Sequence, residues 1–275
     1  MLRSMTDLKG YTLGATDGDM GHVTDFLFDD TRWTIRYLVV ETGSWLKSRK
    51  VLISPFSLAG ADWTHKRLPV HISREEVKNS PDIDTDKPVS RQHEAQHADY
   101  YGLPYDRGGG GLTGAAQDAP VLTSPPGFTA GAQTSARSDV TEVMDRAVPT
   151  RQRNDDPHLR SCQAVIGYHL EASDGDIGHV HSMLVEEDNW AIRYLVLNTS
   201  NWWLGHQVLM APDWVSDIRW ADSRVSVNLS RQAIQTSPRF DASTPLTREQ
   251  EQALYHHYER PTYWEREHKN APDRS

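Results

Sequence analysis

The chain has 275 residues, a formal net charge of −9 and a single cysteine, Cys162, which excludes an internal disulfide framework. A pI near 5.8 leaves no basic face of the kind a sequence-independent nucleic-acid binder needs to displace counterions, so no direct nucleic-acid binding is expected. The length allows two ordinary cores, yet the mean hydropathy of −0.65 is low for one compact globule and implies an unpacked portion.

Residues 1–21 carry no apolar stretch of the secretory type, and runs such as Tyr37–Val40 are far too short to span a bilayer. A cytoplasmic chain without a transmembrane segment is therefore expected. Lys9–Thr16 reads as a strand. It leads into DGDMGHVTDFLFDDTRWTIRYLVVET, from Asp17 to Thr42, which has the grammar of a β-hairpin. Asp17-Gly18 supplies a turn, because glycine accepts the positive φ that tight turns require. A strand-like run follows, then an acidic turn at Asp29-Asp30, then a β-prone return. On the return, Trp33, Ile35, Tyr37 and Val39 share one parity, and Arg36, Leu38 and Val40 take the other. Trp33 is expected in the core as the first residue of that series. Val51–Ile53 forms a short strand that stops before Pro55, and Ser57–Ala61 and Lys66–Ile72 add two more. Ser73-Arg-Glu-Glu76 is a capping box that starts a helix ending near Ser80. A polar helix is expected over Ser90–Tyr101.

The same text then recurs 157 positions later, with Asp174–Thr199 reading DGDIGHVHSMLVEEDNWAIRYLVLNT. Leu2–Pro104 aligns with the second copy without an insertion. Arg3/Arg160, Gly10-Tyr11/Gly167-Tyr168, Trp33/Trp190 and Trp63/Trp220 all match. The second copy keeps the cap serine, Ser230, but has Ala233 in place of the box glutamate. Cys162 aligns with Met5, which gives it an apolar packing role. The expected division is a first repeat with helical extension over 1–104, a linker over 105–157, a second repeat with extension over 158–264 and a polar tail over 265–275. The linker is rich in Gly, Pro, Ser and Ala, and one short helix is expected within it at 138–147.

Chemistry is sparse in this text. His93-Glu94-Ala95-Gln96-His97 matches H-E-x-x-H, in which two histidines one turn apart bind zinc and the glutamate is the base. No third ligand follows at the expected spacing, and the second copy has Gln250-Glu251-Gln252-Ala253-Leu254 there. A chance pair of surface histidines is the preferred reading, and a zinc hydrolase the remote one. The DGDxG segments lack the ligands of a calcium loop, since positions five and twelve are Gly21 and Phe28, or Gly178 and Val185. A hairpin turn explains them without a metal. No nucleophile, acid and base assemble, and neither an enzyme nor a cofactor is expected.

With these residues in view, the sequence resembles the PRC-barrel family, named for the cytoplasmic domain of the photosynthetic reaction-centre H subunit. A related barrel forms half of a bacterial ribosome maturation factor. The residues that carry the resemblance are Asp17, Gly18, Gly21, Trp33, Ile35, Arg36, Tyr37 and Leu38. Their second-copy counterparts are Asp174, Gly175, Gly178, Trp190, Ile192, Arg193, Tyr194 and Leu195. The resemblance implies a mainly β chain of two tandem small antiparallel β-barrels, each followed by short helices. It also implies a soluble bacterial adaptor or assembly module that binds proteins. A ribosome-maturation accessory that binds a ribosomal protein is the alternative within the same fold. Duplication without insertion further suggests a fused homodimer whose barrels pair within one chain about a pseudo-twofold axis. Trp45, Trp63, Trp202, Trp203 and Trp220 are the candidate contacts, since paired aromatics often anchor interfaces.

Overall fold

The computed structural model describes residues 1–43, 46, 49–80, 100–102, 159–199 and 206–270. Within them the chain is mainly β and forms two sheets. In the first half, β2 (Thr12–Ala15), β3 (Gly18–Asp29), β4 (Thr34–Thr42), β5 (Lys50–Ile53) and β6 (Arg67–Pro69) lie in the order β5-β4-β3-β2-β6. In the second half, β8 (His169–Ala172), β9 (Gly175–Glu186), β10 (Ile192–Asn198), β11 (Gln207–Met210), β12 (Val215–Arg219) and β13 (Arg224–Val227) lie in the order β11-β10-β9-β8-β13-β12. The last strands return beside the first, and β2·β6 and β8·β13 are parallel whereas the other pairings are antiparallel.

Two short strands complete the sheets from the opposite half. β1 (Leu2–Ser4) pairs with β9, and β7 (Leu159–Ser161) pairs with β3. The registers are reciprocal: Ser4 faces Leu184 and Ser161 faces Leu27. The length of β3 makes this possible. One edge pairs with β4 throughout, while the other pairs with β2 only as far as His22 and leaves Leu27–Asp29 open to β7. Each exchanged strand runs into a four-residue helix, α1 (Met5–Leu8) or α3 (Cys162–Val165), that buries two side chains. Met5 and Cys162 both belong to the core, as their alignment predicts, and burial pushes the Cys162 thiol well up.

Two details of the hairpin differ from the alternation in the sequence. The register slips between Leu27↔Tyr37 and Phe28↔Ile35, so Arg36 is the extra residue of a β-bulge. Ile35 therefore shares the core face with Leu38 and Val40, while Tyr37 and Val39 turn to the other face. Trp33 and Trp190 do not lead the strand. Each closes the preceding turn with a positive φ, +53° and +57°, and is only partly buried. A residue in that conformation cannot extend the ladder, so its ring lies beside the core and not within it.

The helix signals appear as read. α2 (Arg74–Asn79) has both halves of its capping box, and α4 (Arg231–Gln235) has only the serine, which accepts from the Ala233 N–H. α5 (Arg248–His257) follows a Thr247/Gln250 capping box, and α6 (Tyr263–Asn270) comes next. The strand expected over Ser57–Ala61 reduces to a 3-10 turn at Pro55–Ser57 and isolated bridges Leu58↔Val70 and Asp62↔Arg67. Pro55 supplies no N–H for a ladder there. The expected helix at 138–147 and most of the helix at 90–101 lie outside the described residues. Among the described residues no helix is long and apolar enough to cross a membrane.

Candidate interaction surface across the pseudo-twofold axis

The signature residues build the frame that this surface rests on. Asp17 Oδ1 accepts the Arg74 N–H at 2.8 Å, and Asp174 Oδ1 accepts the Arg231 N–H at 2.7 Å. Each aspartate thus fastens a helix N-terminus to the hairpin, where the unpaired N–H groups attract an anion. Gly18 and Gly175 close the hairpin turns with φ of +137° and +131°. Gly21 and Gly178 are required by close approach, since a Cβ there would lie 2.0 Å from the Glu41 carbonyl oxygen or 2.1 Å from that of Asn198.

The axis passes between Thr34 and Ala191, which form an antiparallel bridge. Beside it the Ile35 N–H donates to the Trp190 carbonyl at 2.9 Å, and the Ile192 N–H donates to the Trp33 carbonyl at 2.7 Å. Trp190 reaches across to stack on Phe26, with ring centroids 6.4 Å apart, while Trp33 stacks on Phe28 of its own half at 5.3 Å. Farther out, each exchanged strand carries an arginine. Arg3 Nε donates to Glu187 Oε1 at 2.5 Å, and Arg160 Nε donates to Asp30 Oδ2 at 2.9 Å. Their guanidinium groups lie over Trp63 at 4.4 Å and over Trp220 at 4.3 Å. One cation therefore meets an aromatic face of its own half and a carboxylate of the other, and partial burial of the ion pairs limits screening.

The tryptophans expected at this surface divide accordingly. Trp63 and Trp220 support the exchanged arginines and pack on Tyr11 and Tyr168, so they act beside the contact. Trp45, Trp202 and Trp203 lie outside the described residues, as do His93, Glu94 and His97. Among the described residues no group of three or more His, Cys, Asp or Glu side chains is placed to hold a metal ion. Arg3 and Arg160 are the interface residues that residue-type reasoning missed. Their exact match between the copies was the available signal.

Arg193 and Tyr194 serve a second contact. The Tyr194 hydroxyl donates to Glu251 Oε1 at 2.8 Å, and Arg248 lies 3.1 Å from Glu251 Oε2. Arg193 pairs with Glu186 and Glu267, both at 2.6 Å, and stacks over Tyr263. These bonds clamp α5 and α6 onto the outer face of β10. Burial pushes the Glu251 carboxyl above the ordinary range, against the Tyr194 and Arg248 contacts that favour its charged form. Burial also pushes the Tyr255 hydroxyl up to about 12. Beside β1, a groove of about 180 Å³ opens between Met1, Leu2, Leu184, Phe240, Pro245 and Leu246.

No family model matches the sequence. No curated protein matches it.

Proposed function

We propose that each sheet curls into a small PRC-barrel-like barrel and that the chain is a tandem, non-catalytic adaptor that binds other proteins. Support for the barrels comes from the mixed topology, in which β6 and β13 return in parallel to β2 and β8, and from the bulges that bend the long hairpins. The observation that carries the adaptor reading is how the repeated charged and aromatic pairs are engaged. Arg3/Arg160 and the backbone of Trp33/Trp190 join one half to the other, Trp63/Trp220 support those arginines, and Asp17/Asp174 tie helix to hairpin. Side chains of the types that chemistry would use thus hold a rigid double frame, and a rigid frame presents its surfaces at fixed spacing.

The test is affinity capture of the intact chain from extracts of its source cells, followed by nuclease treatment. A protein partner retained in fixed ratio after nuclease is the expected result. A partner lost with the nucleic acid, or a chain recovered alone, would overturn the reading. Recovery of a ribosomal protein would turn it toward ribosome maturation. Stoichiometric zinc that disappears in His93→Ala would turn it toward the hydrolase.

A further inference from the structure

The arginines, serines and tryptophans that reach across the axis are shared by the two halves, and the carboxylates that take the arginines, Asp30 and Glu187, are close equivalents. Consider the first half facing a copy of itself. Arg3 would meet Asp30, the carboxylate that Arg160 holds at 2.9 Å. Ser4 would meet Asp25, which accepts from Ser161 at 2.5 Å, and the second Asp25 oxygen, which accepts the Gln163 N–H at 3.0 Å, would take that of Thr6. Trp33 would find Phe26, on which Trp190 stacks.

The second half facing itself keeps the ion-pair and hydroxyl contacts, with Met183 and Ser182 where the first half has Phe26 and Asp25. Arg160 would meet Glu187, the partner of Arg3, and Ser161 would meet Ser182, the partner of Ser4 at 2.9 Å. Neither arrangement brings like charges together at these positions. Of the side-chain contacts described, the exposed bond from Lys9 Nζ to Gln163 Oε1 at 2.6 Å is one that a like pairing loses. Exposed contacts of this kind discriminate weakly. Selective pairing normally needs a repulsive element against the wrong partner, and these contacts supply none.

We propose that the exchange surface of each half accepts the same half of a second copy of this chain, so that the covalent link, and not interface chemistry, keeps unlike halves together. A link between two modules raises their mutual effective concentration to about the millimolar range, which suffices to favour the unlike pair within one chain. The partner implied is self, through an isologous contact.

The full chain carrying a protease site within 105–157 would be folded, cut, unfolded in urea and refolded, with native mass spectrometry reading the pairs. Like pairs of both halves should appear within about tenfold of the unlike pair. Unlike pairs alone, or single halves alone, would overturn the proposal. Arg3→Glu combined with Glu187→Arg supplies the missing repulsion. In that variant the unlike pair keeps opposite charges at both contacts. The first-half pair sets Glu against Asp30 twice, and the second-half pair sets Arg160 against Arg twice. Like pairs should fall at least about tenfold there, and their persistence would remove these contacts from the account.

Discussion

The inner frames of the two halves agree almost residue for residue, whereas their outer faces are finished differently. On the first sheet Leu27, Tyr37, Val39 and Leu52, with Leu159 of the exchanged β7, form a small cluster of their own on the outer face. The matched residues of the second half, including Leu184, Tyr194, Val196 and Leu209, merge with the main core. Trp214, Tyr255, Tyr258 and Tyr263 join them there, with Trp214 4.7 Å from Tyr258 and 5.3 Å from Tyr255. The sequence aligns Ser57 with Trp214 and Ala98 with Tyr255, while Tyr263 lies past the end of the aligned stretch at Pro104/Pro261. Duplication thus kept the side of each sheet that the hairpin geometry dictates and left the other side free to diverge. Aromatic substitution made the second outer face part of the core.

The comparison breaks most readily at Tyr255. Tyr255→Ala, which installs the residue found at the matched first-half position, should cost about 3–5 kcal/mol in urea unfolding because Tyr255 is fully buried. Hydrogen exchange should quicken in β10 more than in β4. Equal quickening in both strands would mean that the two faces do not differ as described.

The shared frame should respond equally on both sides. Gly21→Ala and Gly178→Ala each force a Cβ to within about 2 Å of a carbonyl oxygen, and each should lose about 2–4 kcal/mol. A tolerated substitution at either site would show that the hairpins do not approach as closely as drawn. Asp17→Ala and Asp174→Ala should each cost about 1 kcal/mol by thermal melting, the usual effect of removing a side-chain helix cap. Losses that differ severalfold would place the divergence in the frame as well.

The smallest effect sharpens the comparison through pH. Glu251 has its folded pKa raised, so the folded state holds the proton over a window where the unfolded state has released it. Its contribution to stability is therefore fully present below the unfolded value and declines as pH rises through the folded one. Glu251→Gln, which keeps a group able to bond Tyr194, should gain stability relative to the parent as pH rises through that window. Parallel pH profiles of the two proteins would remove Glu251 from the account.

Much of the frame was legible because its causes are local. The Asp-Gly turns, the Ser73/Glu76 box and the offset copy are all read within a few residues or by direct comparison. The bulge at Arg36 was not legible, since an extra residue on one strand is defined only by the register of the strand opposite. The exchanged strands were missed for a related reason. Leu2–Ser4 is too short for alternation to register, and its partner lies in the other half of the sequence. At the interface, Trp63 and Trp220 were picked out by type, but the side chains that cross are the arginines above them.

The exchange of β1 also has a consequence for synthesis. Arg3 and Glu187, which close that contact, are 184 residues apart. At translation rates of about 5–20 residues per second, β1 leaves the ribosome roughly 9–37 s before its partner strand. Until β7 follows, for most of that interval, the open edge of the first sheet at Leu27–Asp29 is a template for any free strand. On a polysome, the β1 of a neighbouring nascent chain is one such strand.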